Sequence, residues 1–365
     1  MAKEKEKEKG KDPKTKNAYV IIHFGSNPKY FELELYFCIM LRKYTKNNII
    51  YMYSVVDTPP SFAKEISPYV YKTVGFNDSG ITANIEFKSN YTSFNTLRTC
   101  DFVFAYTLTE YEKICIVESD LVIMSKEIDD VFNQNMPAIV CYRCGTEAEL
   151  NRNLLYTSDK AEVLRTCTET SGMNGGLILF EPSDAKFREY INAIPIIANT
   201  GCKYPNEALF EYVNNRFYNL PVRFNLSHYH TLRLRKYGMN PSGKDVVVFH
   251  FNETDYKHLD SARDENWLKE NRDNPKYRIK FIPILHFKNT IYPDSRDEVD
   301  AILSKVSGDK QVNDEWIQVY TGTYDTNYWY NKKTGDSVWV KPVLGGKWNT
   351  RRNKHSGRKT RKHKI

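Results

Sequence analysis

The chain has 365 residues, a net charge of +8, 41% hydrophobic residues and 14% aromatic residues. That length allows one large domain plus something small, and that apolar content supports a packed core, which excludes a wholly disordered chain. No apolar run approaches membrane-spanning length, and the N-terminus is charged where a secretory signal would be apolar, so a cytoplasmic protein is expected.

Residues 1–16 are nearly all Lys, Glu, Gly, Asp, Pro and Thr, a composition that cannot bury a core. Tyr19-Val-Ile-Ile22 then reads as a strand, and residues 30–44 carry apolar side chains at helical spacing. Ile49 to Val56 is a second strand that ends before Pro59-Pro60, and Val70 to Val74 is a third. Residues 94–110 read as helical. Ile114 to Val117 is a buried strand ending in Glu118 and Asp120. Val131 to Cys141 returns to the sheet, Met173 to Phe180 is a glycine turn feeding another strand, and residues 205–217 read as helical. Asp245 to Phe251 is a late strand carrying His250. Strands alternating with helices predict an α/β domain over residues 17–290, built on a single mixed, mostly parallel sheet covered on both faces. Residues 291–311 read as a linker, 312–343 as a small separate unit and 344–365 as a basic disordered tail.

The seven Cys, several of them in apolar runs (Cys38, Cys115, Cys141), read as reduced core thiols. Cys141-Tyr-Arg-Cys144 is a lone CxxC without the second pair that a zinc site requires. Glu118 and Asp120 are more informative. Two acids beside a buried strand cost free energy unless an opposite charge offsets them. Mg²⁺ and Mn²⁺ prefer carboxylate oxygens, and ligands of α/β sheets bind at strand ends, so a divalent cation is the expected partner. The alternative is a strand ending in two solvated acids.

Taken in order, the motifs over residues 18–260 resemble the glycogenin-like family of retaining glycosyltransferases, which use nucleotide-sugar donors on a single nucleotide-binding sheet, the glycosyltransferase A fold. Tyr19-Val-Ile-Ile22, then Phe24-Gly-Ser-Asn27, then Tyr30 resemble the family's first strand and the aromatic loop against the donor base. Asn27 or a neighbour stands where the family has an acid. Leu108-Thr-Glu-Tyr111 resembles the approach to the family's aspartate–x–aspartate motif, and Ile128-Asp-Asp-Val-Phe132 the helix after it. Glu118 replaces the first Asp of that motif. The resemblance implies that Asp120 binds the metal directly and that Glu118 reaches the metal, the ribose or both. The family's basic residue before the motif falls at Phe102, which leaves Arg98, one turn earlier, as the substitute for phosphate contact.

Asn174-Gly175-Gly176 matches the family's asparagine–small–glycine turn, where a missing side chain lets backbone approach the donor. The alternative is an ordinary strand-entry turn. Asn206-Glu207 lies where the family has an Asp-Gln pair near the anomeric carbon, which implies that Glu207 steadies oxocarbenium-like charge or orients sugar hydroxyls. Leu220-Pro-Val-Arg-Phe-Asn225 matches a further segment, and the strand after it makes His250 the third implied metal ligand, with His286 its competitor. Lys257, one residue out of step with the family, is the implied diphosphate contact. The implied cofactors are Mn²⁺ or Mg²⁺ and a nucleoside-diphosphate sugar donor, UDP-glucose or UDP-galactose, with a carbohydrate or protein hydroxyl as acceptor. The competing reading is a catalytically weak sugar-nucleotide-binding or scaffold protein.

Near the C-terminus, Trp316, Tyr328-Trp329-Tyr330-Asn331, Thr334-Gly335, Trp339 and Pro342 resemble a WW domain, a three-stranded antiparallel module. The resemblance implies a groove of Tyr328, Ser337 and Trp339 that docks a proline-rich peptide in polyproline II form. The alternative is an aromatic β-hairpin packed on the enzyme. The tail beyond it carries eight basic residues between Arg351 and Lys364 and no aromatic after Trp348. It is expected to give sequence-blind polyanion contact, nuclear or particle targeting, or solubility.

Overall fold

The computed structural model describes residues 16–83, 97–144, 149–169, 172–227, 245–251, 261–272 and 278–308 of one unit, and 316–321, 326–331 and 337–338 of a second. The first unit is organised by the strand β1 (Asn17–His23), which pairs in parallel with β2 (Asn48–Ser54) on one side and β4 (Lys113–Val117) on the other. β3 (Lys72–Phe76) extends the parallel set beyond β2. Beyond β4 come β8 (Met173–Phe180), β6 (Ala138–Cys141), β9 (Arg216–Asn219) and the edge strand β7 (Leu155–Thr157). β8 runs antiparallel to both neighbours, so the sheet is mixed as expected.

The apolar runs alternate faces. Tyr19, Ile21, Cys115, Val117, Leu177 and Leu179 join one core, while Ala18, Val20, Ile114, Ile116, Ile178 and Phe180 join the other. This is the period of two that a sheet covered on both faces demands. The first face is covered by the helices Pro28–Tyr44, Pro60–Ile66, Arg278–Thr290 and Tyr292–Gly308. The second is covered by the 3₁₀ run Leu97–Thr107 and the helices Asp184–Thr200 and Pro205–Val213.

Several expectations change. The sheet is not single: β5 (Leu121–Ile123), β11 (Val248–His250) and β10 (Leu226–Ser227) form a second, three-stranded sheet. The turn at Glu118–Asp120 ends β4, and the chain then pairs with β11 instead of continuing in the large sheet. Val131 does not belong to a strand; Ile128, Val131 and Phe132 are buried at helical spacing in a 3₁₀ segment, and β6 starts at Ala138. The helix expected over 205–217 stops at Val213, and Arg216-Phe-Tyr-Asn219 is β9.

The expected linker at 291–311 is mostly the helix Tyr292–Gly308, which buries Val299, Ile302 and Val306 at a spacing of three and four. The charged residues on its other face hide this stripe from composition. The first unit accordingly runs to Gly308. Not all the cysteines are free thiols either. Cys141 is bonded to Cys144 and Cys167 to Cys202, because a turn and a helix end bring each pair together, while Cys38, Cys100 and Cys115 are buried and free. In the second unit, Trp316–Thr321, Thr326–Asn331 and Ser337–Val338 form a three-stranded antiparallel sheet. Trp339 and Pro342 lie outside the described residues.

Candidate metal centre and its surroundings

β1 and β4 are parallel neighbours and β8 is antiparallel to β4, so the ends of the first two meet the start of the third at one edge. Phe24, Glu118 and Asn174 therefore share that edge. There Glu118 and Asp120, on the turn after β4, face His250 at the end of β11, and a ligand atom from each lies within 4.8 Å of the others. His250 Nε2 is 3.1 Å from an Asp120 carboxylate oxygen and 3.3 Å from one of Glu118. The turn is held from both sheets: the Glu118 N–H donates to the Gly176 carbonyl at 3.0 Å, and the Phe251 N–H donates to the Asp120 carbonyl at 3.2 Å.

The back of the imidazole is fixed as well. His250 Nδ1 lies 3.0 Å from Asn174 Oδ1 and 2.9 Å from Asn225 Oδ1. Those amides are oriented in turn, because Asn174 Oδ1 accepts from the Gly176 N–H at 2.9 Å and from Asn225 Nδ2 at 2.8 Å. Amide oxygens only accept, so Nδ1 carries a proton and Nε2 is the atom presented to the two acids. Burial alone would lower the His250 pKa, but Asp120 and then Glu118 outweigh it and hold the ring up at about 10. With its proton on Nδ1, the ring turns Nε2 to the two carboxylates, where a divalent cation would bind. One hydrogen-bonded imidazole and two carboxylates form a donor set that fits Mn²⁺ or Mg²⁺. Side-chain exposure rises from 2% at His250 to 15% at Asp120 and 44% at Glu118, so the set opens on the Glu118 side.

Gly175 and Gly176 lie within β8 rather than in a turn. A Cβ at Gly176 would stand 2.5 Å from His250 Nδ1, and one at Gly175 would stand 2.7 Å from Asn206 Nδ2. The missing side chains make room for these protein groups. Asn206 and Glu207 occupy the first turn of Pro205–Val213, and Glu207 Oε1 accepts the Gly175 N–H at 3.2 Å. Glu207 is only 9% exposed. Metal side and Glu207 side are therefore joined through two adjacent glycines.

The loop after β1 is also braced. His23 Nδ1 pairs with Glu34 at 2.8 Å, His23 Nε2 lies 2.9 Å from the Gly25 carbonyl, and Tyr51 donates to Glu34 at 2.8 Å. Burial lowers the His23 pKa, and the Glu34 carboxylate more than reverses that. The Gly25 N–H donates to Asp57 at 3.0 Å. Arg98 lies over the Phe24 ring at 4.9 Å and is paired with Asp57, with Asp78 at 2.5 Å and with Asp101 at 3.4 Å. Its guanidinium is committed to three acids, which argues against the phosphate role. Asn27 caps the helix by accepting the Lys29 N–H at 3.0 Å. Tyr30, on the first turn of that helix, is 41% exposed.

His286 is not part of the cluster. Its Nε2 lies 3.1 Å from the Tyr44 hydroxyl and 3.0 Å from the Ile123 carbonyl, and burial lowers its pKa. Lys257 lies outside the described residues. Tyr328 and Ser337 fall on the second and third strands of the second unit. Sequence reasoning did not single out Asn225 as a site residue. The signal was its place at the end of the matched segment 220–225, which read as a landmark because an Asn carries no chemistry of its own.

No family model and no curated protein matches the chain. Solved structures do. The chain is similar to the bifunctional glycosyltransferase WbbM, at 14% identity and a TM-score of 0.46 over 74% of this chain and 51% of that one. It is similar to the galactosyltransferase LgtC, solved with donor and acceptor sugar analogues, at 12% identity and a TM-score of 0.41 over 65% of this chain and 87% of that one. It is similar also to the Streptococcus pneumoniae glycosyltransferase GlyE, at 12% identity and a TM-score of 0.45 over 81% of this chain and 64% of that one. The chain thus spans about half of WbbM and just under two thirds of GlyE.

Proposed function

We propose that the chain is a metal-dependent retaining glycosyltransferase that moves a hexose from a nucleoside-diphosphate sugar, UDP-glucose or UDP-galactose, to a hydroxyl of a carbohydrate or protein. The observation that carries this reading is the convergence of Glu118, Asp120 and His250 from distant parts of the chain onto one point at the ligand-binding edge of an α/β sheet. A divalent cation held by Asp120 and His250 would supply Lewis-acid neutralisation of the diphosphate leaving group.

The residues divide the remaining work. Asp120 and His250 would hold the cation, and Asn174 and Asn225 fix the imidazole so that Nε2 faces the two acids. Glu118, the most exposed of the three, reaches the metal and the ribose. Phe24, on the loop that His23 and Asp57 brace, and Tyr30, on the first turn of the helix after it, flank the nucleobase. Glu207, fixed by the Gly175 N–H, faces the transferred sugar and stabilises positive charge at its anomeric carbon. In the second unit, the three-stranded sheet supports a WW-like docking site for a proline-rich peptide. Mn²⁺-dependent hydrolysis of each UDP-sugar tests the central reading. Asp120→Ala and His250→Ala are each expected to abolish it, and wild-type turnover by either variant would refute the assignment.

A further inference from the structure

The turn from Cys141 to Cys144 carries two side chains that reach opposite sides of the site. The Tyr142 hydroxyl donates to the Asn225 carbonyl at 3.0 Å and accepts the Ser227 N–H at 3.1 Å. Asn225 and Ser227 bracket Leu226 around β10, a strand of two residues that is too short to be fixed by its own ladder. Ser227 pairs with His250 across that ladder, and Asn225 Oδ1 accepts from His250 Nδ1. The next residue, Arg143, pairs with both carboxylate oxygens of Glu211. Glu211 lies one turn beyond Glu207 on the same helix and is 4% exposed. The turn itself is anchored to the large sheet, since the Cys141 N–H donates to Asn219 Oδ1 at 2.9 Å and the Tyr142 N–H to the Gly172 carbonyl at 2.8 Å. A disulfide joins Cys141 to Cys144 across it.

We propose that Tyr142 and Arg143 are positioning residues that set the two halves of the site from one turn: Tyr142 aims His250 through Asn225, and Arg143 seats the helix that presents Glu207. The inference rests on the function proposed above. Neither side chain is assigned a contact with the reacting atoms, so each acts through another residue.

The test separates the two roles in the full-length chain. Tyr142→Phe removes one hydroxyl and keeps the ring. Titration with Mn²⁺, read by the electron paramagnetic resonance of the free ion, should show affinity weakened by about tenfold, the low end of what losses behind a metal ligand cost. Turnover should recover as Mn²⁺ is raised to saturation. Arg143→Met should keep Mn²⁺ affinity within about twofold and lower kcat at saturating Mn²⁺ by about tenfold, as a small misplacement of a catalytic group does. Wild-type Mn²⁺ affinity in Tyr142→Phe overturns the metal-side role. An equal loss of Mn²⁺ affinity in Arg143→Met overturns the division between the two. The Mn²⁺ titration needs no turnover, so it decides the role of Tyr142 even if the sugar reaction itself is not observed.

Discussion

Adding one methyl group at Gly176 should disable the metal centre without replacing any of its ligands. A Cβ there would lie 2.5 Å from His250 Nδ1, 2.6 Å from Cε1 and 3.0 Å from Asn225 Oδ1, whereas ordinary contact begins at 3.4 Å. The imidazole must therefore retreat by about 0.9 Å, the difference between the first and last of those distances. It cannot do so freely, because both amide oxygens that hold Nδ1 belong to buried residues. A displacement near 1 Å costs about a hundredfold in turnover, and disturbing the groups behind a metal ligand costs about tenfold to a hundredfold in metal affinity. Overpacking adds about 1–3 kcal/mol of lost stability. Gly176→Ala is then expected to bind Mn²⁺ at least about tenfold more weakly than wild type. Gly175→Ala is the control. Its Cβ meets the end of the Asn206 side chain at 2.7 Å and otherwise only ordinary contacts, and that amide can swing aside, so Mn²⁺ affinity should stay within about twofold. A folded Gly176→Ala protein with wild-type Mn²⁺ affinity would refute the steric reasoning.

Two further outcomes concern stability. Burial pushes the Asp101 carboxyl up to about 8, with Asp78 adding to the rise and Thr82 and Arg98 opposing it. A folded-state pKa above the unfolded value means that this contribution to stability is whole below about pH 4 and lost as pH rises through about 8, a change on the order of a few kcal/mol. Asp101→Asn should flatten the pH dependence of urea unfolding over that window, and an unchanged profile would rule the carboxyl out as its source. Ending the chain at residue 308 should leave the first unit folded, whereas ending it at residue 290 removes the buried Val299, Ile302 and Val306, worth about 1.5–3 kcal/mol each. Equal melting temperatures for the two truncations would contradict the place of that helix in the core.

What the sequence disclosed follows from how local each signal is. The strands around Val20, Ile116 and Ile178 were legible because a sheet buried on both faces needs unbroken apolar runs. His250 was legible only through the order of the motifs before it, since a lone His on an apolar strand carries no ligand signature. The helix of Tyr292–Gly308 was missed because its apolar stripe is narrow and its charges dominate the composition. Asn225 and Tyr142 were missed for another reason: their importance lies in what they hold, and that partner is far away in sequence. At Gly175 and Gly176 the sequence showed that space is needed but not that His250 and Asn206 lie against it.

The first helix buries two carboxylates, Glu32 and Glu34, on different sides of its axis. Glu34 is answered locally by His23 and Tyr51, but Glu32 is answered by Arg263, 231 residues further on. An amino-terminal fragment, or a nascent chain still being synthesised, would hold that helix with one negative charge uncompensated. The electrostatic partner of Glu32 in the first helix thus arrives only with a much later stretch of the chain.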